Sequence, residues 1–232
     1  MNINHYINSA WQALLTSFVI ITFVAATFFV AEPRVGQAVD SNAFTIKQTI
    51  TGEISFLVQP TDVTMSGSIN GVTGGTSNGT TTAVVTTNSS TGYTMSIAFT
   101  DNGTDNAMVG DAYAGTSIHD YTASSSEPTY GFYTASTSAV FAYTATADNA
   151  SDVDQSFQDN GAGSCNTSGS SNPLTCWMEP QTTGFQIINR SSAATTGATT
   201  TINFRVYVPN SPSPTIETDT YTATATLTAL NQ

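Results

Sequence analysis

Along Thr220–Leu230 the chain alternates without interruption. Tyr221, Ala223, Ala225 and Leu227 fall on one side, and Thr222, Thr224, Thr226 and Thr228 on the other. Successive side chains point to opposite faces in an extended strand, so this period of two predicts a strand with one apolar and one wetted face. Threonine suits the wetted face, because its branched Cβ favours extended backbone while its hydroxyl stays hydrated. The pattern recurs in Ile50–Val58, with Ile54, Phe56 and Val58 on one side, and in Gly92–Phe99, with Tyr93, Met95, Ile97 and Phe99 on one side. Shorter stretches of the same kind are Phe44–Lys47, Val63–Met65, Thr81–Thr87, Ala139–Ala145, Phe185–Ile188 and Thr201–Val208. Strands punctuated by Gly, Pro, Asn and Asp, without helical periodicity to supply crossovers, predict an all-β domain over residues 39–232. The expected form is an antiparallel β-sandwich of Ig-like or Greek-key type.

Ahead of that domain, Ala13–Ala31 (ALLTSFVIITFVAATFFVA) runs for 19 residues without a charge. That length spans a bilayer core as a helix, so an N-terminal hydrophobic helix is predicted before the β domain. Residues 1–38 then form either a membrane anchor or a cleaved signal peptide. The length favours an anchor, whereas the small residues Gly36 and Ala38 before Val39 fit a signal peptidase site. Lys and Arg are missing ahead of the apolar stretch, so the positive-inside rule gives no orientation. On either reading the β domain is exported, extracellular or held at the cell surface.

Composition fits that address. Charged residues are only 9% of the chain, against 42 Thr and 26 Ser in 232 residues, so the surface is wetted by hydroxyls and amides where an ordinary domain uses ions. The 16 acids against 4 bases, a net charge of −12, argue against nucleic acid, whose phosphates need clustered Lys and Arg.

The segment Asp101–Gly184 holds ten of the 16 acids and few clear strands. It reads as a loop-rich acidic insertion, with the strand Ala139–Ala145 and a helical turn at Asn106–Val109. Long loops on a β scaffold are where binding usually sits. Cys165 and Cys176, the two cysteines of an exported chain, predict one disulfide closing a short loop, with Trp177 packed on the bridge. Tyr113, Tyr121, Tyr130 and Tyr133 are candidate ligand-contact aromatics, suited to stacking on sugar rings. Phe141 and Tyr143, at alternate positions, read as core. Asp101 with Asp105, and Asp148 with Asp152 and Asp154, place carboxylates two to four residues apart, as Ca²⁺ would require. Neither set fits the EF-hand loop: counting from Asp152, Phe157 stands where Gly is required. Solvated acidic turns are the plainer reading, and no cofactor is expected beyond that candidate Ca²⁺.

Gly75–Gly79 matches the G-x-S-x-G string around Ser77, but a Gly-rich stretch leads in and a strand follows, against the strand-turn-helix of a nucleophile elbow. His119 is the one histidine outside the targeting segment to serve as a base. No catalytic residue is therefore assigned.

At Met65–Phe99 (MSGSINGVTGGTSNGTTTAVVTTNSSTGYTMSIAF) and in the closing GATTTINFRVYVPNSPSPTIETDTYTATATLTAL, the chain resembles uncharacterised exported Thr/Gly-rich β-domain surface proteins of candidate-phyla-radiation (Patescibacteria) bacteria. The resemblance implies export and surface exposure and brings no catalytic residue with it. In composition the chain is also loosely similar to WxL-type wall proteins, but Trp177-Met178-Glu179 lacks the Leu of that motif. The expected function is non-catalytic, in adhesion or envelope structure. Its expected partners are the cell envelope or an extracellular glycan or protein, and the membrane through residues 13–31 if these are uncleaved. The alternatives are a carbohydrate-binding module using the Tyr113–Tyr143 aromatics, and a secreted hydrolase.

Overall fold

A computed structural model describes residues 3–31, 43–100, 106–123, 126–132, 137–167 and 174–232. The chain divides into two units, Met1–Thr49 and Ile50–Gln232. In the first unit, helix α1 (Ile3–Ala31) contains the apolar span Ser9–Thr27, whose side chains are all exposed. Nineteen residues at 1.5 Å each give about 28 Å, the thickness of a hydrocarbon core. Its threonines satisfy their own hydroxyls: Thr16 donates to Gln12 O (2.6 Å), Thr22 to Phe18 O (2.7 Å) and Thr27 to Phe23 O (3.0 Å). That back-bonding keeps the helix surface free of unmatched polar groups.

The second unit is built from β1 (Ile54–Val58), β2 (Gly75–Thr87), β3 (Tyr93–Phe99), β4 (Met108–Gly110), β5 (Ser117–Asp120), β6 (Thr129–Tyr130), β7 (Val140–Ala147), β8 (Cys176–Trp177), β9 (Phe185–Arg190), β10 (Ala194–Val208), β11 (Tyr221–Thr222) and β12 (Ala225–Asn231). Two 3₁₀ turns, Ala150–Asp152 and Gln155–Phe157, follow β7. Among the described residues the strands form a seven-stranded sheet in the order β1-β2-β10-β7-β5-β4-β11, a three-stranded sheet β12-β3-β9 and a pair β6-β8. The large sheet curls into a half-barrel. Its spine is the long β2–β10 ladder, from Gly75↔Val208 to Thr87↔Ala194. The chain is thus mostly β with one N-terminal apolar helix. The pairing is not wholly antiparallel, because β5 lies parallel to β7 through His119↔Val140 and Asp120↔Phe141.

The alternation read from the sequence decides which side chains enter the core. In β3, Tyr93, Met95, Ile97 and Phe99 are all buried. Phe99 meets Phe141 and Tyr143 of β7 at 5.9 and 5.4 Å between ring centroids, and Phe141 meets Phe204 of β10 at 6.1 Å. These contacts join the two larger sheets across one apolar core. Strand β7 is buried on both faces, with Phe141 and Tyr143 toward the main core and Val140 and Ala142 toward a smaller cluster behind the sheet.

Several expectations need correction. The closing segment is not one strand: Tyr221–Thr222 pairs with β4, and after Ala223 the chain changes sheets so that Ala225–Asn231 pairs with β3. Val58 faces out because a bulge after Phe56 shifts the register, and an extra residue reverses the alternation. Asn106–Val109 is no helical turn, since Met108–Gly110 is strand β4. Phe44–Lys47 and Val63–Met65 form no strand, although Val63 and Met65 pack on the core from an irregular segment. Within residues 101–184, where β7 was the one strand expected, β4 and β5 also join the large sheet.

Candidate functional site

Cys165 and Cys176 form a disulfide with Cα atoms 6.0 Å apart. Cys176 pairs with Tyr130 across β6-β8, and Cys165 bridges to Asp159. Trp177 does not pack on the bridge. Neighbours on a strand point to opposite faces, so Cys176 enters the main core while Trp177 joins Tyr121, Val140, Ala142 and Phe132 behind the large sheet. There the Trp177 Nε1–H donates to Leu174 O (2.9 Å), and Phe132 stands edge-on to its ring at 5.2 Å. Arg205 of β10 lies over Trp177 at 4.4 Å and over Phe132 at 5.1 Å, and its Nε–H donates to Asn78 Oδ1 (2.8 Å). Burial draws the Arg205 pKa below the ordinary arginine value.

The candidate contact tyrosines scatter. Tyr121 is 1% exposed and stacks on Phe132 at 5.2 Å, with its hydroxyl donating to Gly131 O (3.4 Å); it is a core residue and unable to meet a ligand. Tyr143 is likewise buried. Tyr113 and Tyr130 are 59% and 39% exposed, and Tyr133 lies outside the described residues. Tyr130 lines a shallow pocket of about 390 Å³ with Glu127, Pro128, Asn166 and the disulfide residue Cys165.

Of the calcium candidates, Asp101 and Asp105 lie outside the described residues, and Asp148 is an exposed residue after β7. Asp152 is ion-paired with Arg190. Asp154 caps a 3₁₀ turn by accepting from Ser156 N (3.0 Å) and also accepts from Gln186 Nε2 (2.5 Å). Among the described residues, His, Cys, Asp and Glu gather in no group of three or more suited to a metal ion. Ser77 sits inside β2, buried, its hydroxyl donating to Ser66 O (2.7 Å). His119 lies on β5, half-buried.

A second pocket, of about 430 Å³, was not anticipated. It is lined by Phe99, Asn106, Asp120, Pro180, Gln181 and Thr183 among others. Asp120 and Asn106 are held by reciprocal contacts: Asp120 N–H donates to Asn106 Oδ1 (3.0 Å), and Asp120 Oδ1 accepts from Ala107 N (2.9 Å). Burial raises the Asp120 pKa to about 6, with Glu179's charge adding to the rise and the Ala107 N–H opposing it. The pocket thus presents a carboxyl, amides and hydroxyls beside an aromatic wall. The sequence signal for Asp120 was weak, because Asn106, Asp120 and Glu179 come from three different segments. Arg205 was more legible: the alternation of Ile202, Phe204, Val206 and Val208 puts it on the opposite face. No family model, curated protein or solved structure matches the chain.

Proposed function

We propose that the protein is exported and acts outside the membrane by contact, without catalysis, in adhesion or envelope structure. The observation that carries this reading is the exposed apolar span Ser9–Thr27, which suits a signal sequence or an anchor alike. A disulfide in the β unit is at home in an oxidising compartment, and the hydroxyl-rich strand faces need few ions to stay hydrated. Export is also what the resemblance to Patescibacterial surface proteins implies. On this reading the curled seven-stranded sheet and the three-stranded sheet are the two leaves of an Ig-like or Greek-key sandwich. The test is protease treatment of intact cells expressing the full chain, with intact mass measured on the recovered protein. Digestion from outside, or recovery from the medium, is expected. A mass starting at Val39 identifies a cleaved signal, and the full mass identifies an anchor. Protection inside intact cells overturns the proposal.

A second reading, binding of an extracellular glycan, rests on the exposed Tyr130 ring in the pocket beside the disulfide. Aromatic rings of this kind offer an apolar face and a polar tip. A glycan array probed with the full chain and with Tyr130→Ala tests it: signal lost in the variant supports the reading, and no signal from either removes it.

A further inference from the structure

The segment just ahead of the β unit alternates apolar and polar residues but belongs to no strand. Residues 43–50 carry no regular secondary structure and are exposed throughout. Phe44, Ile46 and Ile50, each 82% exposed, share one parity with Gln48 between them, and Thr45, Lys47 and Thr49 have the other. Large apolar side chains aligned on one face of an extended segment call for a sheet to cover them.

The second unit offers such a sheet edge. Of the two larger sheets' four edges, β9 is covered where Asp154 N–H donates to Ile187 O (2.9 Å) from the 3₁₀ turns. β11 is two residues long, and β1 is interrupted by a bulge, a device that blunts an edge. β12 is longer and more regular. It runs seven residues in unbroken register with β3, and among the described residues its other side has no ladder partner, although β1 lies near it. Leu227 and Ala229 on its inner face stay only half-buried although they touch the core, and Leu230 is 61% exposed. Residues 44–50 also number seven.

We propose that residues 44–50 of one copy add as a strand to the free edge of β12 of a second copy. This deepens the contact function proposed above by naming the partner, and it rests on that reading for its biological setting. Directly after the arm, residues 51–53 are tied to Thr87 and Asn88 of their own chain. Glu53 N–H donates to Asn88 Oδ1 (2.7 Å), Asn88 Nδ2 donates to Thr51 O (3.1 Å) and Thr87 Oγ1 donates to Glu53 O (2.8 Å). Charge agrees: residues 50–232 hold 14 acids and 2 arginines, a net −12, whereas the arm carries Lys47 and no acid. The arm is therefore the segment two acidic bodies can share with least repulsion. At about 150 Å² per large apolar side chain, one inserted strand and its groove bury about 900 Å². Reciprocal exchange doubles this, beyond the roughly 1,000 Å² of a specific interface. Main-chain ladder bonds supply the affinity and the apolar face the register, as in other strand-addition complexes.

The test is cysteine trapping in the full chain, purified in mild detergent. One preparation carries Thr45→Cys, which leaves Lys47 in place, and its partner carries Thr226→Cys, Thr228→Cys or Leu230→Cys, all exposed positions. Mixing and mild oxidation are expected to give mixed dimers at one of the three positions. Ile46→Asp in the donor should abolish them while leaving the melting temperature unchanged, since Ile46 is solvent-exposed. Absence of mixed dimers at every position overturns the proposal. So does a bond formed within one doubly substituted chain at high dilution when mixed chains give none. The readout uses purified protein, so its failure is distinct from failure of the export reading, which intact-cell digestion measures.

Discussion

The Arg205 guanidinium lies 4.4 Å over the Trp177 ring, on the face of the large sheet opposite the buried sulfur of Cys176. Two adjacent residues of β8 therefore serve different cores. Trp177→Ala empties a fully buried site and is expected to cost about 3–5 kcal/mol, a fall in melting temperature on the order of 10 °C. Arg205→Lys keeps the charge but loses the planar stack and the bond to Asn78, and should cost about 0.5–2 kcal/mol. Thermal melts of both variants check the order; equal losses would show that the guanidinium stack is not what Trp177 supports.

Reduction of Cys165–Cys176 should destabilise the β unit without unfolding it. The bridge spans 11 positions, and the chain-entropy argument assigns a loop of this size about 2.8 kcal/mol. Urea midpoints with and without reductant measure it. A loss well below 1 kcal/mol would mean that the β6-β8 pairing already restrains the loop.

Asp120 gives a pH signature. Folding raises its pKa from 3.8 to about 6, chiefly through burial, so the folded state binds the proton more tightly than the unfolded chain. Its contribution is fully present below about pH 4 and is lost as pH rises through 6. Asp120→Asn should flatten that part of the stability profile, which urea midpoints between pH 4 and 7 would show. An unchanged slope in the variant refutes the assignment.

Gly92 closes the connection between β2 and β3 at φ +84, and a Cβ built there would stand 2.7 Å from Ser192 N and closer still to the Arg190 carbonyl. Gly92→Ala combines a left-handed backbone penalty of about 1–2 kcal/mol with that clash, and circular dichroism melts should show a clear loss. A neutral substitution would mean that the 88–92 turn can open without disturbing β3.

What could be read in advance depended on how local the cause was. Met95 and Ile97 are buried because their neighbours Thr94, Ser96 and Ala98 leave one apolar side, a fact of spacing alone. The disulfide followed from having two cysteines in a chain expected to be exported. Strands β4, β5, β6 and β8 escaped notice because segments of two to four residues carry no resolvable period. The tyrosine reading failed at Tyr121 because nothing local distinguishes a ring facing solvent from one covered by Phe132 and Trp177. The Asp120 pocket was invisible for a related reason, since Asn106 and Glu179 reach Asp120 only through folding.

By itself the sequence determined the apolar span near the N-terminus, the β character of the remainder and which face of each long strand is apolar, because those follow from side-chain type and a period of two. Only the tertiary structure decided where each face goes. The uniform alternation of Thr220–Leu230 gives no warning that the chain leaves one sheet at Ala223 and enters another at Ala225. Backbone hydrogen-bonding groups are the same for every residue type but proline, so pairing partners are selected by the whole core and not by the strand itself. The same physics left β12 with an open edge and residues 44–50 with an uncovered apolar face.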